Sequence, residues 1–305
     1  MTSIKNTFRK FFKESKLVVS LFFLLRKFAA YYDVASLQGQ IQKNIESQFL
    51  HSVKNNVKIF DDIKDAGFRC YSQFEEDGII LYLLTCIGKK TRSVVEIGCG
   101  NGSECMSANL IINHGYKGYL FDGNDNNVQA AEKFFKSQKD CLLVQPTIKK
   151  AWVIKSNINK LLEDIGLNGE VDVLSLDIDG NDYHIWDSIS VIRPRICVFE
   201  THCIIPSDLA ITIPYTDDFY AMDKGEVDSE FRSASLLAMV KLCRKKGYTM
   251  VGSHKHGFNV FFVRDDLLNN LLPRPTIDEI HDNECTRIAQ KTRWPLVKDH
   301  PWVSV

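Results

Sequence analysis

Apolar positions along this chain switch between two periods, and the switches outline its elements. Ile4, Phe8, Phe11, Ser15, Val18, Phe22, Leu25 and Ala29 recur at helical spacing with lysines largely between them, which predicts an amphipathic helix over residues 1–33. Residues 34–66 are polar with scattered hydrophobes and read as a helical linker. From residue 67 onward, short apolar runs alternate with helical patterns. The β-branched run Val94-Val95-Glu96-Ile97 predicts a strand, followed by a helix over 104–114 with Ser103 as its cap and Gly115 past its end. Further strands are expected at 119–122, 141–145, 171–177 and 195–202, with a helix over 157–165. Ser72 and Glu75 have capping-box spacing ahead of another helical run. Alternation of this kind builds a parallel sheet covered on both faces.

Toward the end of the chain the pattern is different. Residues 235–243 form an amphipathic helix, and the runs 248–251 and 258–263 flank a short loop containing Gly257. Two β runs so joined predict an antiparallel hairpin. The expected fold class is therefore α/β: a doubly wound, mostly parallel sheet over residues 67–270, closed by an antiparallel hairpin and preceded by an N-terminal helical extension. Residues 204–232 are long, acidic and without clear periodicity, which predicts a lid-like insertion. Residues 271–305 read as a C-terminal tail. His254 and His256 read as solvated loop residues.

Charge changes the picture only locally. Lys+Arg and Asp+Glu both number 38, so nothing global points to nucleic acid. Residues 1–30 hold seven basic residues against Glu14 alone. Their continuous apolar run, residues 17–25, falls short of the roughly 20 residues that a spanning helix needs. A basic helix rich in Phe and Leu lies in a membrane interface, drawn by anionic lipid. The rival reading packs it on the domain or on a second copy. The nine cysteines form no CxxC pair, which fits a reduced, cytoplasmic chain, and the basic helix would then set it at the inner face of a membrane.

Candidate chemistry gathers where strands end. The turn Gly98-Cys99-Gly100-Asn101-Gly102 has G-x-G-x-G spacing, not the G-x-G-x-x-G of a dinucleotide turn. Glu96, two residues before it, would repel a pyrophosphate but can bind the ammonium of a methionine-type ligand. Asp122 ends the next strand, where a carboxylate can take a ribose diol. Gln73 belongs either to a wall of that site or to the local cap. Asp177 and Asp179 point to one side of their strand, and Glu200 and His202 end the neighbouring strand. Crowded carboxylates raise one another's pKa, which suits a proton acceptor. Asp177, Asp179 and Glu200 could equally hold a hard divalent cation, Mg²⁺ or Mn²⁺.

The turn Glu-Ile-Gly-Cys-Gly-Asn-Gly resembles the first motif of class I methyltransferases, which bind S-adenosylmethionine. The order E-I-G-C-G-N-G, L-D-I-D-G-N-D, V-F-E-T-H and G-F-N-V-F-F-V is similar to the FkbM-type branch over roughly residues 71–264. That resemblance implies methylation of a hydroxyl on a sugar, glycan or other small-molecule acceptor. It implies cofactor contacts at Glu96, Gly98, Gly100 and Asp122, joined here by Asn101, Gly102 and Gln73. Substrate chemistry would fall to Asp177, Asp179 and Glu200, with His202 as reserve base. Ser175 and Asp179 stand where many relatives carry a lysine and a glutamate. The alternatives are a methyltransferase-like scaffold and a nicotinamide-dependent oxidoreductase. The oligomeric state is not legible in the sequence.

Overall fold

A computed structural model describes residues 37–221 and 229–305. The amphipathic helix expected over 1–33 lies outside the described residues. The chain divides into two compact units at Gln48/Phe49. Within the first, the described residues 37–48 are helical. Among the described residues, no helix is long and apolar enough to cross a membrane.

The second unit is built on a seven-stranded sheet. Its strands are β1 (Ser93–Ile97), β2 (Lys117–Asp122), β3 (Thr147–Lys150), β4 (Gly169–Leu176), β5 (Ile192–Glu200), β7 (Tyr248–Ser253) and β8 (Asn259–Arg264). In space they run β3-β2-β1-β4-β5-β8-β7. The first five are parallel, with Val95 facing Tyr119 on one side and Leu174 on the other. β8 enters antiparallel to both β5 and β7. All five residues of β1 are buried, as a central strand covered on both faces requires. Trp186 is the largest buried side chain, packed on Phe199 and Tyr248.

Helices α1 (Glu76–Ile87), α2 (Ala108–His114), α3 (Asp125–Ser137), α4 (Ile158–Glu163), α5 (Asp182–Ser188) and α6 (Leu236–Lys245) alternate with the strands. Residues 271–305 are folded: α7 (Ile277–His281), α8 (Glu284–Thr292) and α9 (Trp294–Val297) lead to β9 (Val303–Ser304). β9 pairs antiparallel with the short β6 (Ile211–Thr212). Ala289 and Val297 join Ile204, Ile205, Ile213 and Phe231 in a second hydrophobic cluster, so the end of the chain holds residues 203–213 in place.

Four local expectations are corrected. The third strand is Thr147–Lys150, not 141–145. Cys141 closes a 3₁₀ turn, Leu142 to Val144 are exposed, and Pro146 marks the entry to the strand. A short apolar run does not by itself distinguish a strand from a loop. The helix after the glycine turn starts at Ala108 instead of 104, because the Glu96 carboxylate captures residues 105–107 first. Ser72 and Glu75 do not form a capping box. The Asp77 carboxylate accepts the N–H groups of Cys70, Tyr71 and Ser72 at 2.7, 2.7 and 3.0 Å and gathers that loop instead. His254 is buried, not solvated. Burial lowers its pKa to about 3, and its ring lies between Phe74 and Phe258.

Candidate active site

A cavity of about 1010 Å³ opens at the carboxyl ends of β1, β2 and β4. Its floor is the glycine turn. Gly98 adopts φ +91°, and a Cβ there would lie 1.7 Å from the carbonyl oxygen of Asp177. Only glycine lets the ends of β1 and β4 approach so closely. Asp122 ends β2 and ties the floor together. Its Oδ2 accepts the Gly100 N–H at 2.9 Å, and its Oδ1 accepts the Asn124 N–H at 2.8 Å. Both Asp122 and Gly100 line the cavity.

Glu96 does not line it. Its carboxylate is buried and accepts the N–H groups of Met106 and Ser107 at 3.1 and 2.7 Å, with the Cys105 thiol at 3.0 Å. Burial raises its pKa against those hydrogen bonds. Glu96 thus braces the loop behind the turn. Asn101 commits its side-chain oxygen to Ser103, Gly102 backs onto Ala131 and Phe134, and Gln73 is exposed outside the cavity.

The acidic edge does come together. Asp177, Asp179 and Glu200 each offer an oxygen within 4.8 Å of the others. Burial, and then the neighbouring Glu200, push Asp177 well above the carboxylate range. Glu200 is raised to about 7 by burial; Arg232 opposes the shift, and Asp179 and Asp182 add to it. At neutral pH the pair therefore retains a proton that two separated carboxyls would have lost. Asp179 is held at φ +53°, a costly conformation for a residue with a Cβ. The Asp182 carboxylate fixes it from both sides by accepting the N–H groups of Ile178 and Gly180 at 2.8 and 2.9 Å. Arg232 donates to Asp179 from above. These three carboxylates are close enough to share a cation, and the Arg232 guanidinium already supplies one.

His202 stands apart. It is buried, and its Nε2 meets the Glu230 carbonyl at 2.8 Å. Burial, reinforced by Arg232, lowers its pKa to about 3.

Several residues of the site were not expected from the sequence. Trp152, two residues past the end of β3, lines the cavity and donates its indole N–H to the Asp217 carbonyl at 2.7 Å. Phe219 lies over Gly180, where a Cβ would come within 2.4 Å of its ring. Arg232 comes from the far end of the segment 204–232. Of the three, only Trp152 had an available signal, its place at the end of a strand, and the misplaced third strand concealed it.

The strand order, the antiparallel β8 inserted beside β5, and a glycine turn flooring a cavity at the end of β1 decide the architecture. The fold is that of class I methyltransferases. No family model matches the chain, and no curated protein does. Solved structures similar to the fold include an O-methyltransferase from Bacillus cereus in complex with S-adenosylhomocysteine. It is 10% identical, with 72% of this chain and 89% of that one covered, at a TM-score of 0.42. The N-terminal domain of EvdMO1 with S-adenosylhomocysteine bound is 12% identical over 65% and 87%, also at 0.42. Magnesium protoporphyrin IX methyltransferase from Synechocystis is 14% identical over 62% and 77%, at 0.37.

Proposed function

We propose that the chain is an S-adenosylmethionine-dependent O-methyltransferase acting on a hydroxyl of a sugar, glycan or glycolipid. One observation carries this reading. Six aspartates line the cavity, and no lysine or arginine is among its described lining residues. Asp125 is paired with Lys150, Asp179 with Arg232, and Asp177 shares a retained proton with Glu200. That leaves Asp122, Asp217 and Asp218 without a cationic partner among the described residues. Such a field favours a sulfonium cation and opposes the pyrophosphate of a nicotinamide dinucleotide. Asp122 would take the ribose diol, while Gly98 and Gly100 let the backbone approach the ligand closely. Bound S-adenosylmethionine would supply an electrophilic methyl carbon. The acceptor oxygen would form the new C–O bond as the C–S bond breaks, its electron pair passing to sulfur. Asp177 and Asp179 line the cavity and Glu200 stands behind them, so the Asp177–Glu200 pair, reached through Asp177, would take the hydroxyl proton. A pair that exchanges a proton near pH 7 is matched to neutral pH. The choice of a sugar-type hydroxyl follows the FkbM-like motif order. Residues 1–33 would tether the enzyme to the inner, cytoplasmic face of a membrane.

Calorimetric titration with S-adenosylhomocysteine, NAD and NADP, side by side, tests the reading. Heat from S-adenosylhomocysteine alone is expected. Tight NAD binding with no response to S-adenosylhomocysteine would overturn it.

A further inference from the structure

The amino ends of the strands, opposite the cavity, carry a feature that methyl transfer does not use. Leu142, Leu143 and Val144 stand in a loop tip at 65%, 97% and 62% exposure, three large aliphatic side chains in succession. Isolated exposed hydrophobes are ordinary, but a contiguous run at a tip is not. Three cations stand along the same edge of the sheet. Lys139 begins the 3₁₀ turn that leads into the tip, and the Leu142 N–H returns to its carbonyl at 3.2 Å. Tyr119 pairs with Thr147, so the same register carried back two residues sets Lys117 beside Gln145. Lys117 also donates its N–H to the Arg92 carbonyl at 2.8 Å. Lys139, Lys117 and Arg92 are exposed, and none makes an ion pair among the described residues. Asp140 is the one acid in the loop.

We infer that this edge is a membrane-docking face, with Leu142–Val144 entering the acyl boundary of an anionic bilayer and the three cations on its headgroups. Charge complementarity selects the occupant. An aliphatic tip is convex and offers no groove to a partner helix, and nucleic acid has nothing to match aliphatic side chains. Apolar insertion beside basic residues is the combination that anionic lipid interfaces favour. The cavity opens at the other end of the strands and β2 alone has six residues, so roughly 20 Å separates docking from chemistry. Docking at this edge does not depend on the activity proposed above.

The test uses the full chain carrying Leu143→Trp and phosphatidylcholine–phosphatidylserine vesicles with brominated acyl chains. Fluorescence of the added indole is expected to be quenched beyond the wild-type background, whereas Leu296→Trp, on α9, is not. Lys117→Glu with Lys139→Glu should weaken vesicle binding roughly tenfold or more. Those two changes should leave S-adenosylhomocysteine affinity as it was. A chain that sediments with vesicles while Trp at 143 stays unquenched would overturn the inference, as would a chain that does not sediment at all. Occupation of the tip by a protein partner or by residues 1–36 would give that unquenched result.

Discussion

The carbonyl oxygen of Asp177 occupies the space that a side chain on Gly98 would need. The overlap, 1.7 Å to an ideal Cβ, joins the first glycine of the turn to the acid that follows β4. Gly98→Ala must therefore push the ends of β1 and β4 apart and hold an alanine at φ +91°. We expect a loss of at least about 2 kcal/mol in chemical denaturation. Gly100→Ala is the control, since φ is +55° there with nothing within 4 Å of the new Cβ. It should cost only the backbone penalty of the left-handed region, about 1–2 kcal/mol, and less than Gly98→Ala.

Asp122 is expected to serve both the turn and the ligand. Asp122→Ala removes the acceptor for Gly100 and Asn124 along with the carboxylate facing the cavity. S-adenosylhomocysteine affinity should fall ten- to a hundredfold, about 1.5–3 kcal/mol for a charge-assisted contact, as read by calorimetry. Glu96→Gln should act differently, through the loop. Amide exchange at Met106 and Ser107 should rise, because their N–H groups lose a charged acceptor.

The acidic pair gives a pH dependence with a definite sign. Turnover should climb as pH rises through about 7, the value to which Glu200 is raised. Glu200→Gln should lower kcat roughly a hundredfold or more without loss of cofactor affinity. Stability should run the other way. A carboxyl raised from 4.5 to about 7 keeps its proton in the folded chain where the unfolded chain has lost it. Folding stability then falls as pH climbs through that window. Asp177→Asn should relieve this penalty, raising the melting temperature above about pH 7 and changing it little near pH 4. A variant with an unchanged alkaline melting temperature would separate the two groups.

Arg232 lowers Glu200 against burial and holds Asp179. Arg232→Met should move the ascending limb of the pH–rate profile to higher pH. Chelation of divalent cations should leave wild-type turnover unchanged, because the guanidinium already supplies the positive charge. A rate abolished by chelation and restored by Mg²⁺ or Mn²⁺ would return the three carboxylates to the role of metal ligands.

The N-terminal arm should behave as a charged apolar surface. Replacing Lys10, Lys13 and Lys16 with Glu should reduce sedimentation of the full chain with anionic vesicles, and salt should do the same. Removal of residues 1–33 should leave S-adenosylhomocysteine binding intact. Aggregation on truncation, with no effect of the charge reversals, is the outcome expected of a helix packed on the domain.

The central strands were legible because burial on both faces leaves a simple mark, as in Val94-Val95-Glu96-Ile97. The meeting of Asp177, Asp179 and Glu200 was legible for a related reason: neighbouring parallel strands end at one edge. What was hidden depended on partners distant in the chain. Nothing near Glu96 announces that its carboxylate serves residues 105–107, since the capture happens through space. Arg232 reaches Asp179 across 53 residues, and no local pattern encodes such a reach. His254 looked like a loop residue because its neighbours are Ser253, Lys255 and Gly257. Its burial comes from Phe74 and Phe258.

The pairing of β6 with β9 also sets a timetable. Ile211 and Thr212 find their strand partners at Ser304 and Val303, and the Val305 N–H reaches the carbonyl of Ala210. During synthesis those partners emerge some ninety residues later, on the order of ten seconds at ordinary elongation rates. Through that interval the five parallel strands can assemble, while Ile204, Ile205 and Ile213 wait without Ala289 and Val297 to cover them. A nascent chain paused before α8 would expose those isoleucines beside a nearly finished cavity, and chaperones bind such a surface.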